Sequence, residues 1–203
     1  MKALPCVIRE AWRLCWQHAV HVAFFNCIWL VFQLPIVTGP PATAAMYEIA
    51  HRLSEGELLT PRDIWPIMRE MFIPAWKWAA VNLLVAAFVV GNFWLARGRD
   101  GDLWIVLRLV WTAVSVVWLA VNWLYWPLWL SESDRRVTNT LRNGLVLFLR
   151  APGLVLLTML LSLVVFVLSV VTIIPLVNGV MVWIAAAGLF TTERIIRQMT
   201  QES

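Results

Sequence analysis

The chain has 203 residues, 61% of them apolar, with only 16 Lys or Arg and 12 Asp or Glu. Four stretches, 14–47, 78–96, 109–131 and 151–192, contain none of these charged residues and together make up 118 positions. A small water-soluble fold exposes too much surface to hide that much uncharged sequence. A soluble enzyme and a nucleic-acid binder are therefore excluded, and an all-α, polytopic helical membrane bundle remains.

In chain order, Lys2, Arg9 and Arg13 lead into an apolar run with no small-residue cleavage site and too long for a signal-peptide core, so no leader is expected. An amphipathic helix over 8–17 sets Ile8, Ala11, Trp12, Cys15 and Trp16 on one side, continued by Ala19, and Arg9, Glu10, Arg13 and Gln17 on the other. A first crossing is expected at about 17–37. Pro35-Ile36-Val37-Thr38-Gly39 closes it, and a short helix over 42–53 follows, too brief to span alone. That short helix must pack inside the bundle, where Ala42, Ala44 and Ala45 permit close approach. Thr60-Pro61-Arg62-Asp63 is an N-cap, a first-turn proline and an acidic capping-box partner. It opens a second amphipathic helix, 61–73, with Ile64, Met68, Met71 and Phe72 on one side, the stripe continuing to Ala75.

Crossings at 76–96 and 106–130 are joined by the polar turn Arg97-Gly98-Arg99-Asp100-Gly101-Asp102. A third amphipathic helix, 134–149, aligns Val137, Leu141, Leu145 and Phe148. Ser131, Ser133 and Asp134 read as caps ahead of it. The 42-residue uncharged run 151–192 is twice a span, so it turns once, at Pro175, Asn178 and Gly179. This gives crossings at 150–173 and 177–193, five in all. Pro175-Leu176-Val177-Asn178-Gly179 repeats the P-x-V-[T/N]-G form of residues 35–39, 140 positions away. Pro ends regular helix bonding, Gly accepts unusual backbone angles, and Thr or Asn can bond freed amides. Each amphipathic helix precedes a crossing. Either it lies in the interface and bends inward, or it continues the spanning helix beyond the bilayer.

Lys and Arg accumulate on the cytoplasmic side of membrane proteins. If 42–53 returns the chain to the side it left, 13 of the 16 basic residues fall inside, with Arg97, Arg99 and Arg108 at the outer end. Treating 38–73 as one outer loop places ten inside at best and exports a basic N-terminus. Both termini are therefore expected in the cytoplasm.

Each apolar stretch holds asparagine: Asn26, Asn82 and Asn92, Asn122, and Asn178. An amide in lipid must be bonded, so these either join helices or line a solute path. Glu48 and Arg52, spaced i,i+4 on the short helix, suit an ion pair; a deep carboxylate coupling proton or cation movement is the other reading. The fourteen tryptophans fit a belt at headgroup level, or rings that stack on a sugar. Cys6, Cys15 and Cys27 match no disulfide or metal pattern, and His18 and His21 have no further ligands beside them. No phosphate loop, zinc-protease motif or serine elbow occurs. Neither an enzyme nor a cofactor is expected.

Asn26 and the run Leu34-Pro35-Ile36-Val37-Thr38-Gly39-Pro40-Pro41-Ala42-Thr43-Ala44-Ala45-Met46-Tyr47 resemble the first hairpin of the YesL-like family of bacterial integral membrane proteins, a domain of unknown function. The likeness continues through Glu55-Gly56, Arg62-Asp63-Ile64-Trp65 and Arg69-Glu70-Met71-Phe72, then loosely to the end. Only 26–72 is distinctive. Met68 stands where the family often has an aromatic, and the doubled Pro40-Pro41 is unusual. The resemblance implies a bacterial plasma-membrane protein linked to carbohydrate uptake. The expected role is a non-enzymatic accessory or interaction component, partnered by the bilayer and by a transporter subunit or a second copy. A small-solute or sugar carrier, alone or as a homo-oligomer, is the alternative, invited by the matched turns. The residues singled out are Asn26, Pro35, Thr38, Gly39, Thr43, Glu48, Arg52, Asn82, Asn122, Pro175, Asn178 and Gly179.

Overall fold

The computed structural model describes residues 3–172 and 179–202. Among these the chain forms eight α-helices and no strand: α1 (Ala3–Gln17), α2 (Ala19–Gln33), α3 (Gly39–Ser54), α4 (Ile64–Leu95), α5 (Asp102–Ser131), α6 (Val137–Arg150), α7 (Pro152–Thr172) and α8 (Val180–Glu202). A 3-10 turn, Pro61–Asp63, precedes α4. Three segments are long and apolar enough to cross a membrane: Pro61–Leu95, Asp102–Ser131 and Pro152–Thr172. α1 and α2 pass the same test only together, and they are bent by 93° at His18. The bend has neither Pro nor Gly and falls five residues beyond Arg13, the last charge before the uncharged run.

α1 lies along α8 and buries Val7, Ala11 and Leu14 there. This differs from the expected apolar side. Trp12 and Trp16 point outward and stack on each other, ring centres 6.4 Å apart. α1 thus has two apolar faces, and periodicity alone does not say which one meets the protein.

α2 and α3 are nearly equal limbs of 15 and 16 residues, about 22 and 24 Å long against a hydrocarbon core of ~30 Å. The expected full crossing at 17–37 is therefore a shorter helix. The tip between the limbs is apolar, with Leu34 83% and Ile36 84% exposed. α3 is the centre of the molecule, packed by α2, α4, α5 and α8. Ala42, Ala44, Ala45 and Ala50 are fully buried, and side chains this small let four helices approach closely.

α4 and α5 are much longer, 32 and 30 residues, about 48 and 45 Å. The amphipathic segment 61–73 does not bend away from the crossing at 76–96; one helix runs through both, with Pro74 inside it. All buried residues of α4 lie between Ile64 and Ala79, and those of α5 between Ala120 and Leu130. The far halves project from the core as an apolar pair, ending in Arg97, Arg99, Asp100 and Asp102.

α6 packs along α5 and buries Thr140, Gly144, Leu147 and Phe148. The expected stripe is rotated, for Leu145 is exposed. Gly144 lies so near α5 that an added Cβ would stand 3.2 Å from the Val121 side chain. The repeated turn does not extend to the packing, because α1 rests on α8 whereas α6 rests on α5. Pro175 and Asn178 lie outside the described residues.

Candidate functional site

Polar contacts inside the apolar helices form three groups. At the first, Asn26 of α2 is buried, and its Oδ1 accepts from the Met181 backbone N–H at 3.0 Å. That amide belongs to the first turn of α8, whose N–H groups lack helical partners. One turn away, Val22 lies against Gly179, which has φ +117°; a Cβ there would come within 2.2 Å of Val22 Cγ1. α2 therefore holds the start of α8 by one amide and one close contact. Two of the singled-out residues, Asn26 and Gly179, meet here across the length of the chain.

The second group closes the α2–α3 turn. Thr43 Oγ1 accepts from Trp29 Nε1 at 3.2 Å and from Gln33 Nε2 at 3.1 Å. Gln33 also donates to the Gly39 carbonyl, and Trp76 Nε1 donates to the Val37 carbonyl at 3.0 Å. Thr38 was expected to serve freed amides. Its hydroxyl instead donates to the Phe32 and Pro35 carbonyls, at 2.7 and 3.0 Å. Pro35, Pro40 and Pro41 contribute no N–H, so the carbonyls left at the end of α2 are the groups in need.

The third group is a closed ring between α4 and α5. Trp78 Nε1 donates to Asn122 Oδ1 at 2.9 Å, and Asn122 Nδ2 donates to the Trp118 carbonyl at 2.9 Å. Trp118 Nε1 donates to Asn82 Oδ1 at 3.0 Å, and Asn82 Nδ2 returns to the Trp78 carbonyl at 2.9 Å. Two W-x-x-x-N turns on antiparallel helices thus satisfy each other. The tryptophans were read as a belt, and the repeated spacing was the signal that could have joined them to the asparagines. Asn92 differs: its amide donates to Phe88 of its own helix.

At the other end of the molecule from residues 97–102, Arg52 Nε meets Glu48 Oε1 at 2.6 Å, with Glu48 only 8% exposed. Arg194 pairs with Glu10 at 2.9 Å, tying α8 to α1. Arg135 reaches Glu70 at 3.8 Å and lies over the Trp129 ring. Thr60 and Asp63 form the capping box, with Thr60 N donating to Asp63 Oδ2 at 2.6 Å. Among the described residues no three His, Cys, Asp or Glu side chains converge as metal donors. Among the described residues the three cysteines form no disulfide with one another. Arg194–Glu10 and Arg135–Glu70 join separate elements, whereas Glu48–Arg52 and Thr60–Asp63 act within one; none of these contacts pairs a nucleophile with a base.

The fold and its polar contacts define a helical, membrane-associated protein. No protein-family model, curated protein or solved structure matches the chain.

Proposed function

We propose that this chain is a non-enzymatic accessory component of a bacterial plasma membrane, assembling with a transporter subunit or a second copy in carbohydrate uptake. The observation that carries the accessory role is the filled centre. Where a carrier working alone needs a path for its solute, α3 places fully buried alanines with Met46 and Ile49. Glu48, the carboxylate that could couple ion movement, is occupied by Arg52. The link to carbohydrate rests on the resemblance of 26–72 to YesL-like proteins. The proposed topology keeps both termini cytoplasmic. It has full crossings in α4, α5 and α7 and a last one, expected at 177–193, of which the described part is the apolar start of α8. A re-entrant α2–α3 hairpin stands in place of a first crossing at 17–37.

Two experiments test this. Pull-down of the tagged chain from native membranes should recover a transporter subunit in fixed ratio. Labelled-sugar exchange by the purified chain in proteoliposomes, abolished by Glu48→Gln, would instead establish the carrier. In a cysteine-free background, Arg99→Cys should react with an impermeant maleimide from outside the cell and Ile36→Cys should not. Equal labelling of both would turn α2 and α3 into full crossings.

A further inference from the structure

An apolar groove of about 510 Å³ runs between α5 and α6, walled by Ala113, Val114, Val117 and Val121 on α5 and by Leu145 on α6. Its wall along α5 extends from Ala113 to Val121, about 12 Å. The groove follows from Gly144, which draws α6 against Val121 and Leu128 while Leu145 stands outward. Arg142 lies at the α6 edge of this otherwise apolar cleft and is exposed. Among the described residues, Arg136 at the start of α6 has a carboxylate within ion-pair distance, whereas neither Arg142 nor Arg150 does; of these two, Arg142 is the one that borders the cleft. Of the acids that α6 does engage, Glu132 accepts from Thr140 and Asn143 and Asp134 accepts from Asn139 instead.

A cation beside a narrow hydrocarbon-lined cleft matches a ligand with an anion at one end and an alkyl chain at the other. In a bilayer such molecules are at hand, and basic pockets between membrane helices hold their headgroups. We propose that the α5–α6 groove binds an anionic glycerophospholipid, one acyl chain lying along Ala113–Val121 and the phosphate on the Arg142 guanidinium. The site depends on α5 crossing the membrane and is independent of any role in uptake.

The test is native mass spectrometry of the full chain in mild detergent, titrated with phosphatidylglycerol or with phosphatidylcholine of the same acyl chains. The wild type should retain phosphatidylglycerol preferentially, and excess inorganic phosphate should not displace it. Arg142→Gln should lower phosphatidylglycerol occupancy about fivefold. Val114→Trp, filling the groove from an exposed position, should lower the binding of both lipids. Arg150→Gln, an exposed arginine of α6 outside the groove, should bind as the wild type does. Equal retention of the two lipids, displacement by phosphate, or undiminished phosphatidylglycerol binding in either groove variant would overturn the site. So would an equal loss in Arg150→Gln. Each variant is compared at matched helicity by circular dichroism; if one fails to fold, the other decides.

Discussion

The α2–α3 and α4–α5 hairpins differ in how much packing stands behind their hydrogen bonds. The first has short limbs, an apolar tip and a second limb sunk in the centre of the molecule, where α3 touches four other helices. The second has long limbs and a charged tip, and its far halves, beyond Ala79 on α4 and before Ala120 on α5, hold only half-buried and exposed side chains. Steric fit and small residues define the first, with hydrogen bonds on Thr43 and Thr38 closing its turn. The second is held by one Trp–Asn ring and by the Phe88–Trp111 edge contact, 5.2 Å between ring centres. Packing against lipid gives little net drive to associate, because acyl chains are as apolar as leucine. Polar bonds are therefore a larger share of what holds the second hairpin, while an amide left unsatisfied costs more in the buried first.

That contrast predicts a gradient of mutational effects, read by thermal unfolding in detergent. The largest should come from Gly179→Ala, which adds backbone strain at φ +117° to a clash with Val22; a loss of about 3 kcal/mol is expected. Asn26→Leu, which leaves the Met181 amide without its side-chain acceptor, should cost about 2 kcal/mol. Asn82→Leu should cost less, about 0.6 kcal/mol, and a double-mutant cycle with Trp118→Phe should show coupling of similar size. Leu84→Ala, on the outward face of α4, should change stability by less than about 0.5 kcal/mol. A loss at Asn82 as large as that at Asn26 would erase the distinction between the two hairpins.

Features set by local chemistry were legible in the sequence. Helical class followed from uncharged runs, the α2–α3 break from Pro35 and Gly39, and the start of α4 from Thr60 and Asp63. Which face of a helix meets its neighbour was less accessible. α1 offers both Val7–Ala11–Leu14 and Trp12–Trp16 as apolar stripes, and α6 buries Thr140 and Gly144 rather than Leu145. In α6 the deciding factors are the closeness of Gly144 to Val121 and the Thr140–Glu132 bond, neither of which is a matter of hydrophobicity. The Trp–Asn ring and the Asn26–Met181 contact join residues 36 to 155 positions apart, and the repeated W-x-x-x-N spacing of the ring is the one local trace they leave. Beyond that, their partners were visible only as isolated asparagines that had to be bonded somewhere.

The tips have a consequence for biogenesis. Placing Arg97, Arg99, Asp100 and Asp102 on the far side means carrying charge through hydrocarbon, a step costly enough to call for assisted insertion. From Leu14 to Tyr47 there is no charge to carry. In the proposed re-entrant arrangement that hairpin enters and leaves on the side where the chain is made, so α3 reaches its place among the other helices with no charged tip to pull through.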